Sequence, residues 1–391
     1  MNQTNTTGAK TRPSFQSIHP GLSDVRHIIA IASGKGGVGK STVASNLAVA
    51  LKATGASVGL MDADIYGPSQ PGMLGAGGEQ PNVDGQQLVP VTRHGVKFIS
   101  VGLLLEDDSP VIWRAPIATK MIQQFIGSVA WGKLDYLLID LPPGTGDVQI
   151  TLAQQAPLSG AVIVTTPQEV ALGVARKGLK MFERVNVPIL GVIENMSGFT
   201  CAHCGKTTAI FKEGGGKSMA AEFKTPYLGA IPLDPEIVTS GEKGVPVVES
   251  ASDSASARAF VAVAENMQKE LDLRSGATDT EPINVALSPE GNILIEWRDG
   301  HTSTHSPYTL RRNCVCAQCV DENTGKKLLD EKRIPLDIKV TSFSPVGRYA
   351  LAFAFSDKHD TGYYTYERLR DLCECPECRK QRGESDESFS V

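Results

Sequence analysis

Long apolar runs are missing from this sequence: no stretch of about 18 consecutive apolar residues occurs, so nothing in it reads as a membrane-spanning helix. A surplus of positive charge is missing too. Against 43 acidic side chains stand 38 Lys and Arg, for a formal net charge of −5, which gives no basic footprint for nucleic acid or an anionic membrane. The opening MNQTNTTGAKTRPSFQ lacks the apolar core of an export signal, and the expectation is a cytoplasmic protein. No repeat of solenoid type is visible.

Cysteine is present but confined. All 8 cysteines fall in three tight groups, Cys201/Cys204, Cys314/Cys316/Cys319 and Cys373/Cys375/Cys378. In a long chain without an export signal, such spacings suit metal–thiolate sites better than a disulfide framework.

The polar stretch 1–24 reads as a disordered tail. From 25 to 272, short apolar runs such as Ile28–Ile31, Val58–Met61, Tyr136–Ile139, Ala161–Val164 and Ile189–Ile193 alternate with longer helical patterns. Strands buried on both faces and separated by amphipathic segments predict a mostly parallel, doubly wound α/β sheet. Residues 273–282 are polar and broken by Gly and Pro, as linkers are. Alternating segments such as Ile293–Trp297 and Tyr349–Phe355 then predict a small β-rich domain over 283–379. Residues 380–391 read as a second disordered tail.

Gly34, Lys35, Gly36, Gly37, Val38, Gly39, Lys40, Ser41 and Thr42 fit G-x-x-x-x-G-K-[ST] between a strand and a helix, the context a phosphate-binding loop requires. The glycines let backbone N–H groups turn toward phosphates at a helix N-terminus. Lys40 should reach the β- and γ-phosphates and Ser41 should hold Mg²⁺. Asp140 closes a buried strand as a Walker B aspartate does, and Asp62 and Asp64 close another. Leu141–Asp147, rich in glycine, reads as a switch loop.

GKGGVGKST resembles the signature of the deviant Walker A ATPases, the class of MinD, ParA, the nitrogenase iron protein and the Mrp/ApbC cluster carriers. That resemblance implies that Lys35 reaches the partner's nucleotide in a homodimer. It also implies that Asp64 positions the attacking water while Asp62 supports the Mg²⁺ side with Ser41 and Asp140. The motifs Asp62–Ser69, Asp140–Asp147, Val164–Glu169 and Glu194–Ser197, in order across roughly residues 25–250, are similar to the Mrp/ApbC family in particular. By that similarity Asn195 contacts adenine, and Cys201 and Cys204 match the cluster-binding segment. Two thiolates cannot enclose a cubane, which takes four cysteines, but a symmetric dimer supplies them. A bridging [4Fe–4S] cluster is therefore expected; a shared structural zinc and a redox dithiol are the alternatives for the same pair.

Cys314, Cys316 and Cys319 put three thiolates within a short turn and lack only a fourth ligand for a tetrahedral ion. Trp297–His301 through Tyr366–Arg370 resembles the small N-terminal domain of γ-butyrobetaine hydroxylase, where a C-x-C-x-x-C group and a later histidine bind zinc. His359 falls where that histidine should, and a second iron–sulfur site or no metal are the other readings. His301 and His305 precede the cysteines on strand and turn and are less favoured. Cys373, Cys375 and Cys378 repeat the spacing beyond the part the resemblance covers; a second metal site, an alternative ligand set for the first and a labile cluster-accepting tail are all open, and their place just before a charged end favours an accessible role over a buried structural one. The expected function is an ATP-binding and hydrolysing iron–sulfur cluster carrier with apoprotein clients and upstream donors, contacting neither membrane nor nucleic acid. The rivals are a MinD/ParA-like positioning ATPase and a metal-free nucleotide switch; the first needs an amphipathic anchor or basic surface not seen here, and the second leaves Cys201 and Cys204 unexplained.

Overall fold

The computed structural model describes residues 16–17, 21–22, 24–85, 87–104, 115–144, 146–201, 204, 206–274, 282–316, 318–320, 326–346 and 350–381. The chain divides into two compact units, Gly21–Gly276 and a second formed by 1–20 with Ala277–Val391.

An eight-stranded sheet forms the first unit. Its order is Tyr227–Ala230, Ile189–Glu194, Gly160–Thr165, Val25–Ser33, Leu134–Asp140, Val58–Asp62, Val96–Ser100, Val91–Arg93. All neighbours run parallel except the last pair, which is antiparallel. Because strand residues alternate between faces, Ile28, Ala30 and Ala32 enter one apolar layer while Ile29 and Ile31 enter the other. Burying both faces is what makes these strands read as unbroken apolar runs. Later strands are added on either side of Val25–Ser33, so the crevice where the strand order reverses opens at the carboxyl end of that strand. The helix Lys40–Ala53 starts there and is buried through Leu47, Ala48 and Leu51.

The second unit holds two antiparallel sheets, one from Gln16–Ser17, Pro282–Leu287, Ile293–Trp297 and Thr302–His305, the other from Val340–Val346, Ala350–Phe355 and Gly362–Thr365. Val285, Ile295, Trp297, Leu310, Phe353, Tyr364 and Leu369 form its core.

The tail read over 1–24 is not free of structure. Gln16 and Ser17 pair with Val285 and Asn284, because an edge strand offers unpaired N–H and C=O groups to any extended segment; residues 1–15 lie outside the described residues. Of the linker read over 273–282, Leu273 and Arg274 still belong to the helix Ala255–Arg274 and Pro282 begins a strand; residues 275–281 lie outside the described residues. At the other end the helix Pro376–Gln381 extends two residues into the expected 380–391 tail, and 382–391 lie outside the described residues.

Candidate functional site

The loop Gly34–Gly39 joins the strand Val25–Ser33 to the helix Lys40–Ala53. Gly39 sits at φ 77°, and a Cβ there would lie 2.3 Å from Asn195 Nδ2, so backbone and packing both demand glycine. As N-cap it offers no side-chain acceptor. The first-turn N–H groups therefore face the crevice with the positive end of the helix dipole. Lys40 is buried, whereas Lys35 is half-buried on the rim beside exposed Gly36 and Gly37.

Strand register brings the acids together. Asp62 stands opposite Asp140 on one side and Ser100 on the other. Burial, with the Asp140 charge added, pushes the Asp62 carboxyl up to about 7, against hydrogen bonds donated by Ser100 Oγ (2.8 Å) and Gln70 N (3.3 Å). Burial also raises Asp64, offset by Lys40, whose Nζ lies 4.0 Å from it. The same Nζ pairs with Asp140 and donates to Ser41 Oγ at 3.2 Å. One ammonium among three carboxylates leaves surplus negative charge in a buried place. A divalent cation fits such a site, since its charge would offset both the burial and the Asp140 charge that raise the Asp62 carboxyl.

Gln70 is a functional residue that motif reasoning missed. Fully buried, it donates through Nε2 to Ser41 O (3.0 Å) and Asp140 Oδ2 (2.8 Å), tying the phosphate loop to the Walker B strand. Its only sequence signal is its place directly after Asp62–Ser69. Gln149 likewise donates to Pro142 O (2.6 Å) and Gly144 O (2.9 Å), pinning the switch loop.

A cavity of about 370 Å³ opens beside Gly39 and Thr42, walled by Asn195, Met196, Pro232 and Leu233. Asn195 Nδ2 donates to Val38 O at 2.8 Å. Its neighbour Glu194 is buried and accepts from Ser197 Oγ (2.5 Å), Gly214 N (2.8 Å) and Gly216 N (2.5 Å). A carboxylate at the N-terminus of the helix Gly215–Glu222 is stabilised by that helix's dipole. The chain between these anchors forms a hairpin, Phe199–Thr200 against Thr207–Thr208, closed by Cys201 N donating to Lys206 O at 3.0 Å. Cys201 is half-buried at its base and Cys204 is exposed near its tip.

In the second unit Cys314, Cys316, Cys319 and His359 converge, with ligand atoms within 4.8 Å of one another. His359 Nε2 lies 3.2, 3.6 and 3.9 Å from the three sulfurs in that order. Arg311 Nη1 donates to Cys319 Sγ at 3.3 Å and Thr361 Oγ1 to Cys316 Sγ at 3.3 Å. Burial pushes the Cys314 thiol up to about 12, so a bare thiolate is unfavourable there while one bound to a cation is not. His305 is not one of the four converging residues; it is buried with its Nε2 against Ser303 Oγ at 2.8 Å. His301, less favoured from its position, is drawn instead to the last cysteine group, because the turn after Trp297 points it there.

Residues 24–268 match the ParA family, described as NUBPL iron-transfer P-loop NTPase, and residues 286–370 match the γ-butyrobetaine hydroxylase-like N-terminal domain. The chain is 51% identical over 263 residues to the iron-sulfur cluster carrier protein of Synechocystis sp., an alignment covering 66% of this chain and 73% of that protein. It is 53% identical over 247 residues to the iron-sulfur cluster carrier protein of Aquifex aeolicus, covering 62% and 67%. Among solved structures, a nucleotide-binding protein from Archaeoglobus fulgidus in complex with ADP is similar at 42% identity and a TM-score of 0.53, covering 58% of this chain and 90% of that one. With more than half of its length matched and the phosphate loop, strand-end acids and parallel sheet all in place, this protein belongs to the family of NUBPL iron-transfer P-loop NTPases.

Proposed function

We propose that the protein is an ATP-hydrolysing iron–sulfur cluster carrier that works as a homodimer. It accepts a cluster on Cys201 and Cys204 of both copies and passes it to apoproteins. The observation that carries this reading is the short segment joining nucleotide loop to thiols. Asn195 holds Val38 of the phosphate loop, Glu194 holds the start of the next helix, and the Cys201 hairpin hangs between those two anchors.

In this reading ATP phosphates bind the loop N–H groups and draw Lys40 away from Asp140. Ser41, Asp62 and Asp140 hold Mg²⁺, which when bound neutralises charge on the β- and γ-phosphate oxygens. Asp64 orients the attacking water, and Lys35, on the rim, reaches the nucleotide of the second copy. Adenine fills the cavity against Asn195. Loss of the γ-phosphate relaxes the loop, and through Asn195 the relaxation reaches the hairpin. Two thiols per copy supply a cubane's four ligands only at a two-fold axis, which couples cluster loading to dimerisation. Cys314, Cys316, Cys319 and His359 hold a structural zinc in the second domain. A cytoplasmic setting belongs to the same reading, since thiol groups kept for metal need a reducing compartment.

Anaerobic reconstitution with iron and sulfide tests it. Wild type should take up one cluster per dimer, and Cys201→Ser or Cys204→Ser should each abolish uptake, because either removes two of four ligands, while ATP binding persists. Wild type that takes zinc but no cluster ends the carrier reading.

A further inference from the structure

The second domain repeats one cysteine pattern, and each copy lies against a histidine from the other half. Leu310-Arg311-x-x-Cys314-x-Cys316-x-x-Cys319 recurs as Leu369-Arg370-x-x-Cys373-x-Cys375-x-x-Cys378. Each copy follows a short helix, Pro307–Arg312 or Tyr366–Asp371, capped by a hydroxyl: Ser306 Oγ accepts from Thr309 N (3.1 Å) and Thr365 Oγ1 from Arg368 N (3.3 Å). Each is preceded by a hairpin with the same turn. Trp297 N donates to His301 O (2.9 Å) with Gly300 at φ 83°, and Phe355 N donates to His359 O (2.8 Å) with Lys358 at φ 66°. Within both turns an aspartate steadies the histidine: His301 N donates to Asp299 Oδ1 (3.0 Å) and His359 N to Asp357 Oδ1 (3.1 Å).

The halves then cross. His359 of the second hairpin serves the first cysteine group, and Asp357 pairs with Arg311 of the first half at 2.7 Å. Reciprocally, His301 of the first hairpin meets the second cysteine group, and Asp299 pairs with Arg370 of the second half at 2.9 Å. His301 Nε2 lies 3.5, 3.9 and 3.6 Å from the sulfurs of Cys373, Cys375 and Cys378. The last cysteine turn is fastened, not loose. Cys373 is buried, Glu374 N donates to Thr304 O (2.8 Å), and the Glu374 carboxylate accepts from Ser306 N (2.6 Å) and Thr309 Oγ1 (2.7 Å).

We infer that His301, Cys373, Cys375 and Cys378 form a second, mononuclear tetrahedral zinc site, and that the two ions cross-brace the two halves of the domain. Bonds of about 2.3 Å to sulfur and about 2.0 Å to nitrogen put nitrogen about 3.5 Å from sulfur on a tetrahedron's edge. The His301 distances match that edge as well as those of His359 do. All four ligand atoms lie within 4.8 Å of one another, which suits one ion. A cubane spreads its ligands over four irons and would hold the sulfurs farther apart. Three thiolates with one imidazole are a zinc donor set, and the backbone and carboxylate contacts to the histidine turns orient the ligands as outer partners do. Cys378 is half-exposed where its counterpart Cys319 is buried, so the His301 site gives up its ion first.

The test uses the full chain carrying Cys201→Ser and Cys204→Ser, so that the hairpin thiols bind no metal. Zinc by mass spectrometry should be two per chain, and cobalt(II) titration of the stripped protein should end at two equivalents with tetrahedral thiolate bands. Adding Cys378→Ser should lower both counts by one, whereas His301→Cys, which keeps four ligands, should retain both ions with an added sulfur in the cobalt spectrum. One zinc per chain in the parent protein overturns the inference even if Cys378→Ser fails to fold. So does iron with inorganic sulfide on the last cysteine group, or a metal content that His301→Cys leaves at one.

Discussion

Asn195 Nδ2 and Val38 O are joined by a 2.8 Å hydrogen bond across the crevice, so the residue expected at adenine also buttresses the phosphate loop from behind. Because the same side chain walls the cavity beside Gly39, the phosphate loop and the segment leading into the cysteine hairpin share one anchor.

Asn195→Ala removes that bond and leaves the Val38 carbonyl without its partner. The cost of one such bond, about 1 kcal/mol, corresponds to roughly fivefold weaker nucleotide binding. Calorimetric titration with ATP measures it, and unchanged affinity would place the buttress outside the binding energetics.

Lys40→Ala should cut ATP turnover by about 100-fold or more, since the phosphates lose their buried ammonium. Lys35→Ala should spare nucleotide binding by the monomer and weaken the ATP-dependent dimer. Steady-state phosphate release and sedimentation with ATP separate the two effects.

Asp64→Ala should slow hydrolysis by about 100-fold while sparing the cation ligands, so that an ATP-bound dimer accumulates. Single-turnover kinetics beside size-exclusion chromatography provide the check; fast turnover with no stabilised dimer removes Asp64 from its role.

Stability without nucleotide should depend on pH through Asp62. Its carboxyl is raised from 3.8 to about 7 in the folded protein, so between those values the native state binds more protons than the unfolded one. The stabilisation is complete below 3.8 and is lost as pH rises through about 7. Melting temperature should fall from pH 5.5 to 7.5 in wild type, and Asp62→Asn, neutral throughout, should flatten that slope.

Cys316→Ser breaks the Cys314 site and should lower zinc content and melting temperature together, because metal binding is coupled to folding. Mass spectrometry and calorimetry on one preparation are enough. Full stability without metal would make the group a packing feature.

Features that depend on neighbours in the chain were legible in the sequence. The strand, glycine turn and helix around Lys40 are written in adjacent residues, and a C-x-C-x-x-C turn brings three sulfurs together whatever surrounds it. Apolar runs announced strands buried on both faces. What the sequence alone left open needed partners distant in the chain. Gln70 carries no motif of its own, and it matters because the register of Val58–Asp62 against Leu134–Asp140 sets it between Ser41 and Asp140. His301 reads as a strand-end residue, yet the turn after Trp297 aims it at cysteines more than seventy positions later. A hydrogen bond or ligand bond between remote residues is fixed by how strands pair and hairpins cross, and only the tertiary structure decides that.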